Sequence, residues 1–68
     1  MEQEANLISE VIYSFVESRT LREVDKAVAD NLLFMMTHPF LFTYADRARN
    51  RIIRLAQINK ELRIKKLN

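Results

Sequence analysis

The chain has 68 residues and a formal net charge of +2, and hydrophobic residues make up 49% of it. It contains no Cys, no Gly and one His, which excludes disulfides, thiolate or multi-histidine metal sites, and the glycine-rich loops that bind phosphates and dinucleotides. A chain this short forms one domain with a small core and gains stability by associating, so we expect a single domain over residues 1–68 that forms a homo-oligomer, with a dimer favoured.

The first predicted helix runs from about residue 4 to residue 18. Its apolar residues recur as adjacent pairs every four positions, which is typical of one face of an amphipathic helix. We expect this face to pack on the core of the domain. Its members are Leu7, Ile8, Val11, Ile12, Phe15 and Val16.

The second predicted helix spans about residues 21–36. Thr20 and Glu23 form a capping box, in which the Thr20 hydroxyl accepts a hydrogen bond from the Glu23 amide and the Glu23 carboxylate accepts one from the Thr20 amide. The helix ends near His38 and Pro39, because the residue before a proline is pushed out of the α region. The residues expected to face inward are Leu21, Val24, Ala27, Val28, Leu32 and Met35.

The segment from Leu32 to Phe42 is rich in soft and aromatic side chains. This composition suits an adaptable protein-binding surface, and it equally suits the middle of a small core. We predict an apolar loop over residues 39–42, whose rings either lie under the bundle or face a partner. On a helical wheel Phe34 and Met36 point away from the inward face, which predicts that both are exposed. The candidate interface residues in this segment are Phe34, Met35, Met36, Phe40 and Phe42.

The third predicted helix covers about residues 44–65, with Thr43 and Asp46 as its cap. A heptad seam runs along it, and in a pair of helices an Asn in the seam can bond its counterpart and fix the register. The seam can instead pack on the first two helices of its own chain, and both arrangements can coexist. Its members are Ala45, Ala48, Ile52, Leu55, Asn59 and Leu62, of which the last four are candidate interface residues. The fold class predicted from these elements is all-α, a three-helix bundle with a long C-terminal helix.

Charge is divided along the chain. Residues 1–30 carry seven acidic and three basic residues, a net charge of −4, whereas residues 31–68 carry two acidic and eight basic residues, a net charge of +6. One basic flank of the third helix is a candidate for nucleic-acid contact. The same charges can be solvated, neutralised within an assembly, paired with the helix dipole, or directed at an acidic protein or membrane surface. The flank comprises Arg47, Arg51, Arg54 and Lys65.

No set of residues indicates catalysis or cofactor binding. His38 stands alone beside Pro39, where a capping or packing role is expected. The serines lack a nucleophile elbow and a nearby His, and no pair of carboxylates is placed for acid–base chemistry. We therefore expect no catalytic residue, no metal, no cofactor and no small-molecule substrate.

Two features of the sequence bear on its location. The longest uninterrupted apolar run is Leu32–Met36, far shorter than the roughly 20 residues of a membrane span. The first residues, Met1–Glu4, lack the basic start and the apolar stretch of a signal peptide. We expect a cytoplasmic protein without a membrane span.

The order of elements resembles one known family. A helix that begins at Thr20-Leu21, a turn and a long third helix are similar to the arrangement in the Hha-type bacterial modulators of nucleoid proteins. The chain has Asp46-Arg47-Ala48-Arg49 where that family carries an acid–His–Arg cluster, so the resemblance transfers no function.

Two functions follow as hypotheses. The first is a small non-enzymatic protein-interaction module, a regulator or inhibitor that binds a partner protein and also associates with itself. The alternative is a nucleic-acid-binding or nucleoid-associated transcriptional modulator that uses the basic third helix.

Overall fold

A computed structural model describes the backbone of residues 2–67 and the side chains of residues 3–65, and it is helical throughout apart from short turns. Four helices follow one another along this range: α1 (Glu2–Glu17), α2 (Leu21–Asp30), α3 (Leu32–Thr37) and α4 (Leu41–Leu67). The all-α class and the long last helix are confirmed. The predicted number of three helices is wrong, because the second predicted helix is divided in two.

The division of the second predicted helix occurs at Asn31. Its side-chain amide donates to the carbonyl of Ala27 at 2.8 Å, and its backbone N–H also reaches the carbonyls of Ala27 and Val28. An Asn side chain that bonds to the preceding turn competes with the regular helical ladder, so α2 stops at Asp30 and α3 starts anew at Leu32.

The start of α2 follows the predicted cap closely. Thr20 is extended, with φ −130° and ψ 156°, and its hydroxyl accepts the amide of Glu23 at 3.1 Å. The Glu23 carboxylate reaches back one residue further than predicted, because it accepts the amide of Arg19 at 2.7 Å instead of that of Thr20. Two donors at the helix start are still satisfied by the pair.

The predicted apolar loop over residues 39–42 is shorter in the structure: Pro39 and Phe40 lie in a turn, but α4 begins at Leu41 instead of Tyr44. The amides of Leu41, Phe42 and Thr43 each bond to a carbonyl three residues earlier, so the chain turns directly from Pro39 into the helix. The fixed φ of proline suits such a helical start. Leu41 is completely buried, and burial of this side chain favours the early start over a cap at Thr43.

The core lies where α1, α2 and the first turns of α4 meet, and α3 packs against α2. Leu7, Val16, Leu21 and Leu32, which were predicted to face inward, are exposed to 39–57%. Ile8, Ile12, Val28, Phe34, Tyr44 and Ile52 pack around the centre as partly buried residues. The fully buried apolar residues are Val11, Phe15, Val24, Ala27, Met35, Leu41, Ala45 and Ala48.

The molecule is elongated, with extents of 56 × 18 × 16 Å. α4 has 27 residues, a length of about 40 Å at 1.5 Å per residue, and its last buried residue is Ala48. The second half of α4 therefore projects from the bundle. Over residues 2–67, no helix has a stretch long and apolar enough to cross a membrane.

Candidate functional site

The projecting part of α4, residues 53–65, is exposed at every position, and we call it the α4 arm. Leu55, Ile58 and Leu62 are spaced by three and four residues, so they share one side of the arm and form the arm stripe. Their side chains are 52%, 42% and 54% exposed. Ile53 and Ile64 are also exposed, but they lie on the opposite side. Large apolar side chains grouped on one side of an exposed helix are a feature of interaction surfaces in other proteins.

The heptad seam predicted for the third helix divides between two environments. Ala45 and Ala48 are buried and Ile52 is partly buried, so this half of the seam packs within the chain. Leu55, Asn59 and Leu62 lie on the α4 arm and are exposed. The intramolecular alternative thus describes the first half of the seam, and the described part of the chain leaves the second half uncovered.

The candidate interface residues of the Leu32–Phe42 segment differ in their burial. Met35 is completely buried, and Met36, Phe40 and Phe42 are 63%, 48% and 37% exposed. The prediction that Phe34 is exposed is wrong, because Phe34 is partly buried against the core. The break at Asn31 explains the error, since a wheel drawn through one continuous helix loses its phase at a break. Leu33, which the sequence did not single out, is 83% exposed.

His38 ends α3 and connects it to α1. Its ring stacks on Phe34, with 4.3 Å between the ring centroids, and Nε2 lies 2.7 Å from a carboxylate oxygen of Glu4. Nδ1 lies 2.9 Å from the carbonyl of Phe34. The hydrogen bond to Glu4 is the main cause that raises the pKa of His38 above 6.5; the Phe34 carbonyl and the Glu4 charge add to it, and partial burial opposes it. This is the capping and packing role predicted for His38.

Arg51 holds the end of α1 against α4. Its guanidinium donates to the carbonyls of Phe15, Val16 and Ser18 at 3.3, 3.2 and 3.0 Å. The last carbonyls of a helix lack intrahelical partners and carry the negative end of its dipole, so a cation there is favourable. The buried hydroxyl of Ser18 donates to the Ser14 carbonyl at 2.8 Å and completes the end of α1.

A surface notch of about 870 Å³ opens beside Arg51, where α1 ends on α4; we call it the Arg51 notch. Apolar side chains from both helices line it, together with two acidic residues, Glu17 and Glu23, and two basic residues, Arg19 and Arg51. The notch is continuous with the arm stripe, because Leu55 belongs to both. Its apolar lining consists of Tyr13, Val16, Ile52 and Leu55.

The four basic residues proposed for nucleic-acid contact differ in their surroundings. Arg51 is engaged by the end of α1, as described above, and Arg47 lies over the ring of Tyr44 with 5.9 Å to its centroid. Arg54 and Lys65 are exposed on the α4 arm. Arg49, on the opposite flank of α4, pairs with Asp25 of α2. The basic flank is therefore reduced to Arg47, Arg54 and Lys65 as side chains directed to solvent.

No group of three or more His, Asp or Glu side chains converges on a metal-sized site within the described range. No protein-family model matches the sequence, and comparisons with curated proteins and with solved structures gave no significant match. The function must therefore be argued from the α4 arm and the Arg51 notch themselves.

The Arg51 notch was missed in the sequence. Tyr13 offered one signal, because it is a large aromatic residue on the otherwise polar side of α1. Arg51 offered none, since its partners are backbone carbonyls of a helix more than 30 residues away and such contacts leave no pattern in the sequence.

Proposed function

We propose that the chain is a protein-interaction module, a small regulator or inhibitor that acts by packing the arm stripe against a helical surface of another polypeptide. The observation that carries the proposal is the α4 arm itself, thirteen consecutive exposed residues with three large aliphatic side chains on one side. Helical surfaces recognise one another through side chains at such spacings, three and four residues apart.

In the proposed mode of action, the bundle presents the α4 arm to a partner as a preformed helix. The bundle holds about the first two turns of α4 through Leu41, Ala45 and Ala48, so the arm starts from a packed base. A helix that is already formed loses less conformational entropy on binding than a disordered peptide would. The chain would then act by occupying a partner's groove or by holding two polypeptides together.

Photocrosslinking at the arm tests this function. A photoreactive amino acid replaces Ile58 on the arm stripe in one variant and Ile64 on the opposite side in its matched control, in full-length chains expressed in the source cells. We expect Ile58 to crosslink to a polypeptide, whether another protein or a second copy of the chain, and Ile64 to give far less product. Equal crosslinking from both positions, or none from either, would contradict the proposal.

Nucleic-acid binding is the second candidate function, supported by the exposed flank of Arg47, Arg54 and Lys65. A protein that neutralises phosphates releases counterions, so its affinity for a DNA duplex must fall steeply as salt rises. Binding at 50 mM salt that disappears at 200 mM, and is lost when Arg47 and Arg54 are both replaced by Gln, would support this candidate. Absent or salt-independent binding would exclude it.

A further inference from the structure

We infer that the α4 arm packs against the arm of a second copy of this chain, running antiparallel, and that the end of each arm reaches the Arg51 notch of the other copy. This inference rests on the proposed function and deepens it, because it names the occupant of the arm stripe and its direction. Three observations carry it: the side on which the stripe lies, the position where α1 stops, and the distribution of charge.

The arm stripe lies on the same side of α4 as α1. Arg51 points to the end of α1, and Leu55, Ile58 and Leu62 follow it by four, seven and eleven residues. Each of these separations is close to a whole number of turns of 3.6 residues. α1 thus covers this side of α4 as far as the Arg51 notch, and the stripe continues the same side beyond it. A helix packed on the stripe would prolong the line of α1.

The position of α1 decides the direction of a second copy. In a parallel pair both bundles would stand at the same end of the two α4 helices, on the side that α1 already occupies, and the two α1 helices would collide. In an antiparallel pair each bundle lies beyond the free end of the other copy's arm. Only the antiparallel pair covers the stripe along its whole length without moving α1.

The register of the two arms follows from the spacing of Leu55, Ile58, Leu62 and Lys65, which are separated by three, four and three residues and so read the same in both directions. In an antiparallel seam Ile58 lies beside Leu62 of the second copy, and Leu55 lies beside Lys65 of the second copy. Leu55 lines the Arg51 notch, so that Lys65 arrives at the notch, whose charged lining is balanced between Glu17 and Glu23 on the acidic side and Arg19 and Arg51 on the basic side.

Charge also favours the antiparallel direction. In the antiparallel pair the ammonium group of Lys65 meets a notch with two acidic and two basic residues, so the charges there balance. A parallel pair would instead place Lys65 next to its own counterpart in the seam, where like charges repel. Residues 1–30 carry a net charge of −4 and residues 31–68 a net charge of +6, so an antiparallel pair also brings the basic arm of one copy towards the acidic half of the other.

Sedimentation of the full-length chain over micromolar to millimolar concentrations measures the association. We expect a reversible dimer, weakened on the order of tenfold or more by Ile58→Ala, because the truncated side chain occurs twice in each dimer. Ile64→Ala on the opposite side is the matched control and should leave the dimer unchanged. Circular dichroism of both variants checks that the helices are retained.

Disulfide formation between introduced cysteines shows whether the two arms run parallel or antiparallel, and the chain has no native Cys to interfere. We expect Leu55→Cys mixed with Lys65→Cys to form the mixed disulfide, and Lys65→Cys alone to form little. A strong disulfide between two copies of Lys65→Cys, without the mixed product, would show a parallel pair and overturn the inference. The charge reversals Glu17→Lys and Lys65→Glu should each weaken the dimer, and the double variant should recover it.

A strictly monomeric chain at millimolar concentration would also overturn this inference. In that case photocrosslinking at Ile58 separates the two proposals. If Ile58 crosslinks to a different protein, the proposed function is supported and only the second copy as its partner is wrong. If Ile58 crosslinks to nothing, both the proposed function and this inference are wrong.

Discussion

At the scale of single residues, Arg51 joins the two longest helices through backbone carbonyls alone. Because its guanidinium satisfies three carbonyls at the end of α1, Arg51→Gln should lower the free energy of unfolding by about 1–2 kcal/mol. Urea denaturation, at a concentration where the chain is monomeric, measures this loss.

Arg54→Gln is the control for Arg51, because Arg54 is an exposed arginine one turn further along α4. Surface substitutions of this kind usually change stability by less than about 0.5 kcal/mol. Equal losses from the two variants would mean that the loss reflects the charge of α4 in general and not the contact with α1.

His38 and Glu4 form a contact between two distant parts of the chain, the end of α3 and the first turns of α1, and this contact depends on both side chains. Because both ring nitrogens face acceptors, the folded state favours the protonated ring, and the pKa of His38 is raised. A group whose pKa is higher in the folded than in the unfolded state stabilises the fold below its unfolded pKa of about 6.5. This stability should be lost as the pH rises through the folded pKa.

An NMR titration measures the pKa directly, since His38 is the only histidine in the chain. Glu4→Gln removes the charge and the strongest acceptor, so we expect the pKa of His38 to fall towards 6.5 and the dependence of stability on pH in this range to weaken. Glu10→Gln, on the same helix, is the control. An unchanged pKa in the Glu4 variant would show that the pair does not form in solution.

At the scale of elements, local chemistry was the most predictable part of the fold. The apolar face of α1 and the Thr20 cap of α2 involve residues within one turn of each other. Ile8, Val11, Ile12 and Phe15 lie in or against the core as predicted, and the Thr20 hydroxyl accepts the Glu23 amide. Such signals depend on the helical repeat and on side-chain to backbone bonds, which a sequence records directly.

The elements that were predicted wrongly depend on competition between neighbours. The spacing of apolar residues on either side of Asn31 is that of one continuous helix. The interruption is explained by the bond from the Asn31 side chain to the Ala27 carbonyl, which that spacing does not predict. Thr43 fits a cap, but burial of Leu41 starts α4 earlier. Both outcomes depend on contacts formed in the folded chain, the Asn31 bond to Ala27 and the burial of Leu41, which residue spacing alone does not indicate.

The sequence predicted part of the candidate site, the exposed residues of the α4 arm, but not the Arg51 notch. Leu55, Asn59 and Leu62 were named from the heptad pattern, and they do lie exposed on the α4 arm. The pattern could not show where the bundle ends along α4, because Ala48 and Leu55 fit the seam equally well. The Arg51 notch, built from α1 and α4 together, required the tertiary structure.

At the scale of the whole molecule, core and apolar surface are separated along one axis. Among residues 3–65, whose side chains the structure describes, every buried residue precedes residue 49, and the α4 arm contributes five exposed large aliphatic side chains and no buried one. A bundle that only had to fold would gain nothing from carrying this arm, because exposed apolar side chains add little to stability. This separation is the reason that we propose association, and not folding, as the role of the α4 arm.

Truncation of the chain after Ala56 separates these two roles. The shortened chain keeps Ile52 and one further turn, so every buried contact of the bundle is retained. We expect it to unfold cooperatively, with a free energy of unfolding within about 1 kcal/mol of that of the full-length monomer. Sedimentation should show that it stays monomeric where the full-length chain associates.

Two results of the truncation would contradict this division, and each identifies a different error. If the shortened chain is unfolded, then the bundle depends on its arm or on association for stability, as obligate dimers do. If it folds but still associates, then the interface lies elsewhere, and Leu33, Met36 and Phe40 are the next residues to test, since their side chains are 83%, 63% and 48% exposed. Substitution of Met36 by Gln in the shortened chain would decide that case, because it removes an exposed apolar side chain without touching the buried Met35 beside it.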